Sequence, residues 1–321
     1  MCPRKTTRRW RLLPQMFTIV WLFLLVSACS GMVSAVQRPA LATPSQTPPT
    51  DWKPVDAAVG KTGADMPGGV HRYSFPRTDL NVVVQGVKLS AAFALGGYVV
   101  FLPMDKGAMV MGDLVLTEDE INPVMSQLQR GGIQQTALHN HLLFERPQVM
   151  YLHIGGQGDP VQLARAIHVA LLKTTTPFTT PTPGQPGSFD LDTKQLDTIL
   201  GYHGNVNNGV YQYSIPRAET ITEEGVTIPP AMGVATVINF QPTGTGNAAI
   251  TGDFVLLAKE VPLVLRNLRE QGIDVTALHS HMLSDSPHLF FLHFWGNANA
   301  LNLAQGLRAA LDQTKHEKAT K

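Results

Sequence analysis

Only two cysteines occur in the 321 residues, Cys2 and Cys29, so the chain beyond residue 29 contains no thiol. That excludes a disulfide framework, a thiolate metal site and a Cys-His nucleophile. The fold must be held by its core, and any metal must be bound by imidazole and carboxylate. Charge is scarce too, at 15% of residues, and no basic stretch occurs after residue 11. The electrostatic footprint of a nucleic-acid partner is therefore missing. No apolar run reaches the length of a stable membrane span. No Gly-x-Ser-x-Gly elbow occurs, which removes the usual serine-hydrolase reading.

The longest apolar run, Met16 to Val26, follows a basic segment made of Arg4, Lys5, Arg8, Arg9 and Arg11. This order predicts a signal peptide over residues 1–28. Val26-Ser27-Ala28-Cys29 resembles a bacterial lipobox, which makes Cys29 the expected site of lipidation. The implied partner is the membrane, reached through an N-terminal lipid, and the implied location is the outer face of the cell membrane. Val33-Ser34-Ala35 is a rival cleavage site that would release a soluble secreted protein. Five of the 25 Lys and Arg precede Cys29 and none of the 24 Asp and Glu does, so the mature chain carries 20 against 24. Residues 29–53, rich in Pro, Ser and Thr, read as a tether.

What is abundant is histidine in one pattern. Thr136 to His153 reads TALHNHLLFERPQVMYLH, and Thr276 to His293 reads TALHSHMLSDSPHLFFLH. His139, His141, Glu145 and His153 align without a gap on His279, His281, Asp285 and His293. The chain is thus a duplication: repeat one over 54–174, a Pro/Thr-rich linker over 175–189, repeat two over 190–315 and a tail over 316–321. Within repeat one, Phe93–Leu102 and Ala108–Leu116 are strand-like. Ile121, Val124, Met125 and Leu128 mark a helical face that Gly131-Gly132 ends, with Pro123 expected in its first turn. The motif strand and its partner follow, and then a helix capped by Asp159-Pro160. The predicted class is α+β, each repeat an antiparallel sheet with two helices in a β-β-α-β-β-α core. The repeats are expected to pack with pseudo-twofold symmetry.

In a strand, residues i and i+2 share a face, so His139 and His141 point together. A hairpin centred on Pro147 would set His141 opposite His153, with Glu145 near the turn. Imidazole and carboxylate so grouped suit a divalent transition metal, zinc first, with room for an open coordination position. The predicted metal ligands are His139, His141, Glu145 and His153, and in repeat two His279, His281, Asp285 and His293. No catalytic residue is assigned. The alternatives are a metal-dependent hydrolase, with Glu145 or Asp113 as base, and a non-catalytic ligand-binding or assembly module whose histidines form a structural network. The recurrent Gly112-Asp113 and Gly252-Asp253 read by default as turn or bulge acids, and Arg77 and Arg217 as surface residues on Pro-ended edge strands. Gly155 to Gly158 is a weak phosphate-loop candidate.

Taken together, TALHNHLL, MVMGDLVLTEDEINPV and YSFPR closely resemble the LppY/LpqO family of exported bacterial proteins, a domain of unknown function, here in two copies. The resemblance implies lipoprotein or secreted status and no reaction. Repeat two departs from the pattern at Leu257-Ala-Lys-Glu260 and at Asp285.

Overall fold

The computed structural model describes residues 51–179 and 189–318. The expected signal peptide, Cys29, nearly all of the tether and the middle of the linker lie outside the described residues.

The first repeat runs α1 (Lys53–Val59), β1 (Ala64–Met66), β2 (Val70–Pro76), β3 (Val83–Val84), β4 (Val87–Lys88), α2 (Ala91–Ala94), β5 (Gly96–Pro103) and β6 (Ala108–Thr117). It continues with α3 (Glu118–Arg130), β7 (Gln134–His139), β8 (Glu145–Arg146), β9 (Val149–Gly158) and α4 (Pro160–Leu171). The second repeat begins α5 (Thr193–Leu200), β10 (Asn205–Asn207), β11 (Val210–Pro216), β12 (Thr222–Glu223), β13 (Val226–Thr227) and a 3-10 turn (Pro230–Met232). Then come β14 (Ala235–Gly244), β15 (Asn247–Leu257), α6 (Val261–Glu270), β16 (Asp274–His279), β17 (Asp285–Ser286), β18 (Leu289–Asn299) and α7 (Ala300–Leu311).

Each repeat forms a six-stranded antiparallel sheet, ordered β1-β2-β5-β6-β9-β7 and β10-β11-β14-β15-β18-β16. One face of the first sheet carries Tyr73, Phe75, Val99, Phe101, Val110, Leu152 and Ile154 against Val55 and Val59 of α1, Val124 and Leu128 of α3, and Leu163, Ala164 and Ile167 of α4. The second repeat builds the same layer from Tyr213, Ile238, Phe240 and Phe294 under α5, α6 and α7. The opposite faces meet each other. Val70, Val100 and Met109 of repeat one share a core with Ile228, Met232, Val255 and Phe291 of repeat two. Phe93, Val115 and Tyr151 share another with Ala249 and Trp295. The order of layers is therefore helix, sheet, sheet, helix, and both faces of each sheet are covered. This agrees with the α+β class and the two antiparallel repeats.

Several expectations need correction. Each repeat has a helix the periodicity did not reveal, α1 and α5, because seven or eight residues show too little pattern. The strand expected from Phe93 starts at Gly96, since Ala91 to Ala94 form a helical turn. Helix α3 starts at Glu118, five residues ahead of Pro123, because Thr117 and Glu120 form a capping box. Gly155 to Gly158 lie inside β9, which removes the phosphate-loop candidate. The linker begins in register with repeat one: Thr175 N–H donates to Glu120 at 2.9 Å, and Phe178 sits edge-on to Phe75.

Arg77 is not a surface residue. It is 1% exposed, and its guanidinium donates to both oxygens of Glu120 (2.7 and 3.1 Å), to Asp79 and to the Val115 carbonyl. Arg217 repeats this with Glu260 (2.7 and 3.0 Å) and Val255. Burial raises the Glu120 pKa, but the Arg77 hydrogen bonds and the Thr117 and Thr175 N–H groups outweigh it and hold the carboxyl below its ordinary range. The pair ties the end of β2 to β6, to the start of α3 and to the chain leaving α4. Arg77→Ala should cost about 3–5 kcal/mol, because it leaves a buried carboxylate uncompensated. Urea unfolding checks this, with Arg77→Met/Glu120→Leu expected to lose much less. Because the folded pKa is depressed, the contribution is full above the ordinary carboxylate range and fades as pH falls through the lowered value. Glu120→Gln should flatten that acid limb.

Candidate metal centre

The histidines converge through register. Asp113 on β6 stands directly opposite His153 on β9, and directly opposite residues share a face. On the other side of β9, His153 faces Ala137 and Tyr151 faces His139, after a bulge between Gln135 and Ala137. Without that bulge His139 would oppose Met150 and point to the helix side. Repeat two has the same bulge between Val275 and Ala277, and Asp253 opposite His293. The hairpin is thus not centred on Pro147: His141 lies just past the end of β7 and does not face His153. It reaches the same space by stacking on Tyr151 (3.3 Å between centroids), as His281 stacks on Phe291 (3.4 Å).

Since these faces meet between the sheets, six imidazoles from two repeats come together. His139 stacks on His279 (3.4 Å), His141 on His293 (3.8 Å) and His153 on His281 (3.6 Å). The edge strands β7 and β16 adjoin here, where Thr276 donates its hydroxyl to the His141 carbonyl.

Glu145 and Asp285 do not join the cluster. Their carboxylates accept the N–H of Val149 (3.3 Å) and Leu289 (2.6 Å), and Asp285 also pairs with His288 (2.7 Å). The carboxylates beside the imidazoles are Asp113 and Asp253. The Gly-Asp dipeptides were visible in the sequence, and the glycine is the signal that places them. A Cβ at Gly112 would stand 2.8 Å from the Tyr98 carbonyl, and one at Gly252 would overlap that of Val237. The dipeptide is mid-strand and no turn.

Four sets of ligating atoms lie within 4.8 Å of one another. Two stay within one repeat, Asp113/His141/His153 and Asp253/His281/His293. Two cross between repeats, His139/His153/His279/His281 and His139/His141/His293. Asp113 lies 3.8 and 3.9 Å from the Nε2 atoms of His153 and His141, and Asp253 lies 3.8 and 3.9 Å from those of His281 and His293. Those gaps exceed hydrogen-bond reach. They fit two donors that each sit about 2.0–2.2 Å from one shared ion. His293 donates Nδ1–H to the Gly252 carbonyl (2.9 Å) and His139 donates Nδ1–H to that of Asn140 (3.1 Å), which turns Nε2 of each inward as a lone-pair donor.

The electrostatics fit the same use. Burial lowers all six imidazole pKa values, that of His139 to about 4 and that of His293 to about 3, so the rings are neutral. Burial raises Asp113 to about 7 and Asp253 well above its ordinary value. A cation between them would reverse both carboxylate shifts. A cavity of about 210 Å³, walled in part by Arg72, Tyr98 and Asn239, opens onto the two Asp-His-His sets. His71 and His168, outside the cluster, are satisfied by Asp65 (2.7 Å) and the Val59 carbonyl (2.8 Å).

Replacing Gly252 with Ala should lower the melting temperature by several degrees, since neither the Val237 carbonyl nor the strand can move aside cheaply. The same change at exposed Gly132, where no atom lies near, carries only the strain of its positive φ (74°) and serves as the control in a thermal melt.

The model of a family described as Domain of Unknown Function (DUF1259) matches residues 53–173 and again 194–313. No curated protein matches the chain. Among solved structures the chain is similar to a trimeric bacterial microcompartment shell protein, PduB, with 13% identity over 79% of this chain and 95% of that one, at a TM-score of 0.21. It is also similar to EtuB from Clostridium kluyveri, with 9% identity over 78% and 88%, at a TM-score of 0.20. At those TM-scores neither likeness carries an argument.

Proposed function

The chain belongs, through both repeats, to the family described as Domain of Unknown Function (DUF1259), and from the site itself we propose a divalent-metal-binding protein whose metal centre lies between the two repeats. The metal is zinc in the first instance. The observation that carries this reading is the concentration of unpaired polar atoms. Ten buried side-chain N or O atoms among the described residues lack a hydrogen-bond partner, and seven belong to Asp113, His139, His141, His153, Asp253, His279 and His293. Leaving a buried polar group unpaired costs about 1–3 kcal/mol each, so a stable fold needs something that accepts their lone pairs. A cation does this for several at once.

The donor sets overlap, and that limits occupancy. Only Asp113/His141/His153 and Asp253/His281/His293 share no residue, so two ions per chain require these two sets. A single ion has all four sets open to it. Two imidazoles and one carboxylate leave coordination positions open, a donor set that also suits Fe(II). A metal-bound water beside Asp113 would be the starting point for the hydrolase reading. A pseudo-twofold relation of the repeats is part of the proposal, and the reciprocal stacks of His141 on His293 and His153 on His281 support it. So are export and lipid anchoring at Cys29 within an LppY/LpqO-like family, on the strength of the N-terminal sequence pattern alone. No helix among the described residues is long and apolar enough to cross a membrane.

Elemental analysis of protein purified without added metal, followed by zinc titration of the chelated form, tests the proposal. Two zinc ions per chain are expected, falling to one in Asp113→Asn and to none in Asp113→Asn/Asp253→Asn. Zinc at a hundred times its Kd should stabilise the chelated protein by about 2.7 kcal/mol for each occupied site. A chelated protein that melts as the untreated one does and takes up no zinc would leave the histidines as a structural network. Because binding displaces the proton that Asp113 holds up to about pH 7, zinc affinity should weaken as pH falls below 7.

A further inference from the structure

The cavity beside the Asp-His-His sets has one feature that the metal does not use. Arg72 reaches into it from β2. Its guanidinium lies over the Tyr98 ring, 3.9 Å from the centroid, and among the described residues no carboxylate or carbonyl takes a hydrogen bond from it. The buried arginines Arg77 and Arg217 are, by contrast, saturated by Glu120 and Glu260. Arg72 is thus a fork of donors held over an aromatic ring, in a cavity wall shared with the metal donors.

We infer that this cavity binds a small monocarboxylic acid, its carboxylate on Arg72 and an oxygen of the neighbouring carbon on the ion held by Asp113, His141 and His153. The inference rests on the metal reading above. Size suits a small ligand: the cavity holds about 210 Å³, below the roughly 300–1,000 Å³ of sites that take drug-sized molecules. Charge sets the class. Arg72 is the single lysine or arginine among the residues that line the cavity, and its fork pairs with one carboxylate. Phe93, Ala94 and Tyr151 complete the wall with apolar surface suited to a short carbon chain. Repeat two has no counterpart, because β11 carries Gln212 at the position of Arg72, and its amide is spent on the Ala92 carbonyl (2.9 Å) and Asn239 (3.2 Å). The acid therefore binds once per chain, on the repeat-one side.

The test uses full-length protein loaded with Co(II), whose visible bands report ligands entering the metal's coordination, and lactate as the probe. Metal stoichiometry is measured first. Lactate should perturb the bands of the wild type, and Arg72→Gln should weaken lactate binding by about tenfold or more at unchanged cobalt stoichiometry. Repeat two already carries glutamine at this strand position, so the variant is expected to fold. Arg72→Lys should fall between the two. Lactamide, which lacks the charge, should leave the bands unchanged, and inorganic phosphate should bind more weakly than lactate. Normal cobalt binding with lactate affinity equal in wild type and Arg72→Gln would overturn the carboxylate site and leave the metal centre intact. Phosphate binding tighter than lactate would overturn the monocarboxylate class. Failure to bind cobalt at all would overturn the metal reading, and this inference with it.

Discussion

The arrangement depends on two sheet faces being pressed together over a polar patch that their apolar clusters flank. Six neutral imidazoles and two aspartates sit between apolar clusters contributed by both repeats. Sheet-on-sheet packing normally buries aliphatic side chains, because each polar atom taken from water must find a partner. Here the partners present are mostly other rings. Stacked imidazoles satisfy one another's faces but not their Nε2 lone pairs, and only His279 and His281 share a direct hydrogen bond, at 2.9 Å. The stabilising terms lie outside the centre, in the helix-covered cores and in the saturated Arg77–Glu120 and Arg217–Glu260 pairs. Those terms hold open a polar region that would not persist by itself.

Duplication explains how so many donors meet. One repeat supplies a bulged edge strand, an Asp on the neighbouring strand but one, and an aromatic that backs a ring. None of these makes a closed centre by itself, since the sheet face would be open to water. A second copy facing the first shields that face and brings the reciprocal rings. The arms between β2 and β5, and between β11 and β14, strengthen the contact by reaching over to the other sheet. Asn239 donates to the Phe93 carbonyl (2.9 Å), Trp295 to Gln85 (3.0 Å) and Gln157 to Glu224 (2.8 Å). The chain thus encloses the site with segments that are remote in sequence.

Much of this was legible in the residues, for identifiable reasons. The duplication and the main helices follow from local pattern: repeated octets, a four-residue apolar stripe from Ile121, and a cap at Asp159 whose side chain does accept the Gln162 N–H (2.9 Å). That the imidazoles share one face was also readable. What failed was anything set by one residue of register. The bulge at Gln135–Ala137 shifts the hairpin, so His139 rather than His141 is the strand residue opposite β9. The same blindness hid Asp113, which stands opposite His153 only once β6 is known to pair with β9. Glu145 looked like a ligand because it lies four residues from His141, yet the chain turns there and its carboxylate is drawn to the Val149 N–H. Arg77 read as exposed because Pro76, just before it, looks like the end of an edge strand, while its partner Glu120 lies 43 residues away.

The sequence differences between the repeats acquire a new meaning from these positions. Asp285 in place of Glu145 and Leu257-Ala-Lys-Glu260 in place of Thr117-Glu-Asp-Glu120 look like erosion of a site in repeat two. Both lie outside the cluster, and the functional contacts survive them: Asp285 still accepts the N–H of Leu289, and Glu260 still closes on Arg217. The donors themselves, His279, His281, His293 and Asp253, are unchanged in kind. Around the centre the repeats differ at the cavity wall, where Gln212 stands for Arg72, and behind a ring, where Phe291 stands for Tyr151. A metal that uses equivalent donors constrains both halves equally, whereas a ligand entering from one side constrains only the residues it meets. Under the proposed reading the two halves keep what both need and part where only one meets the ligand.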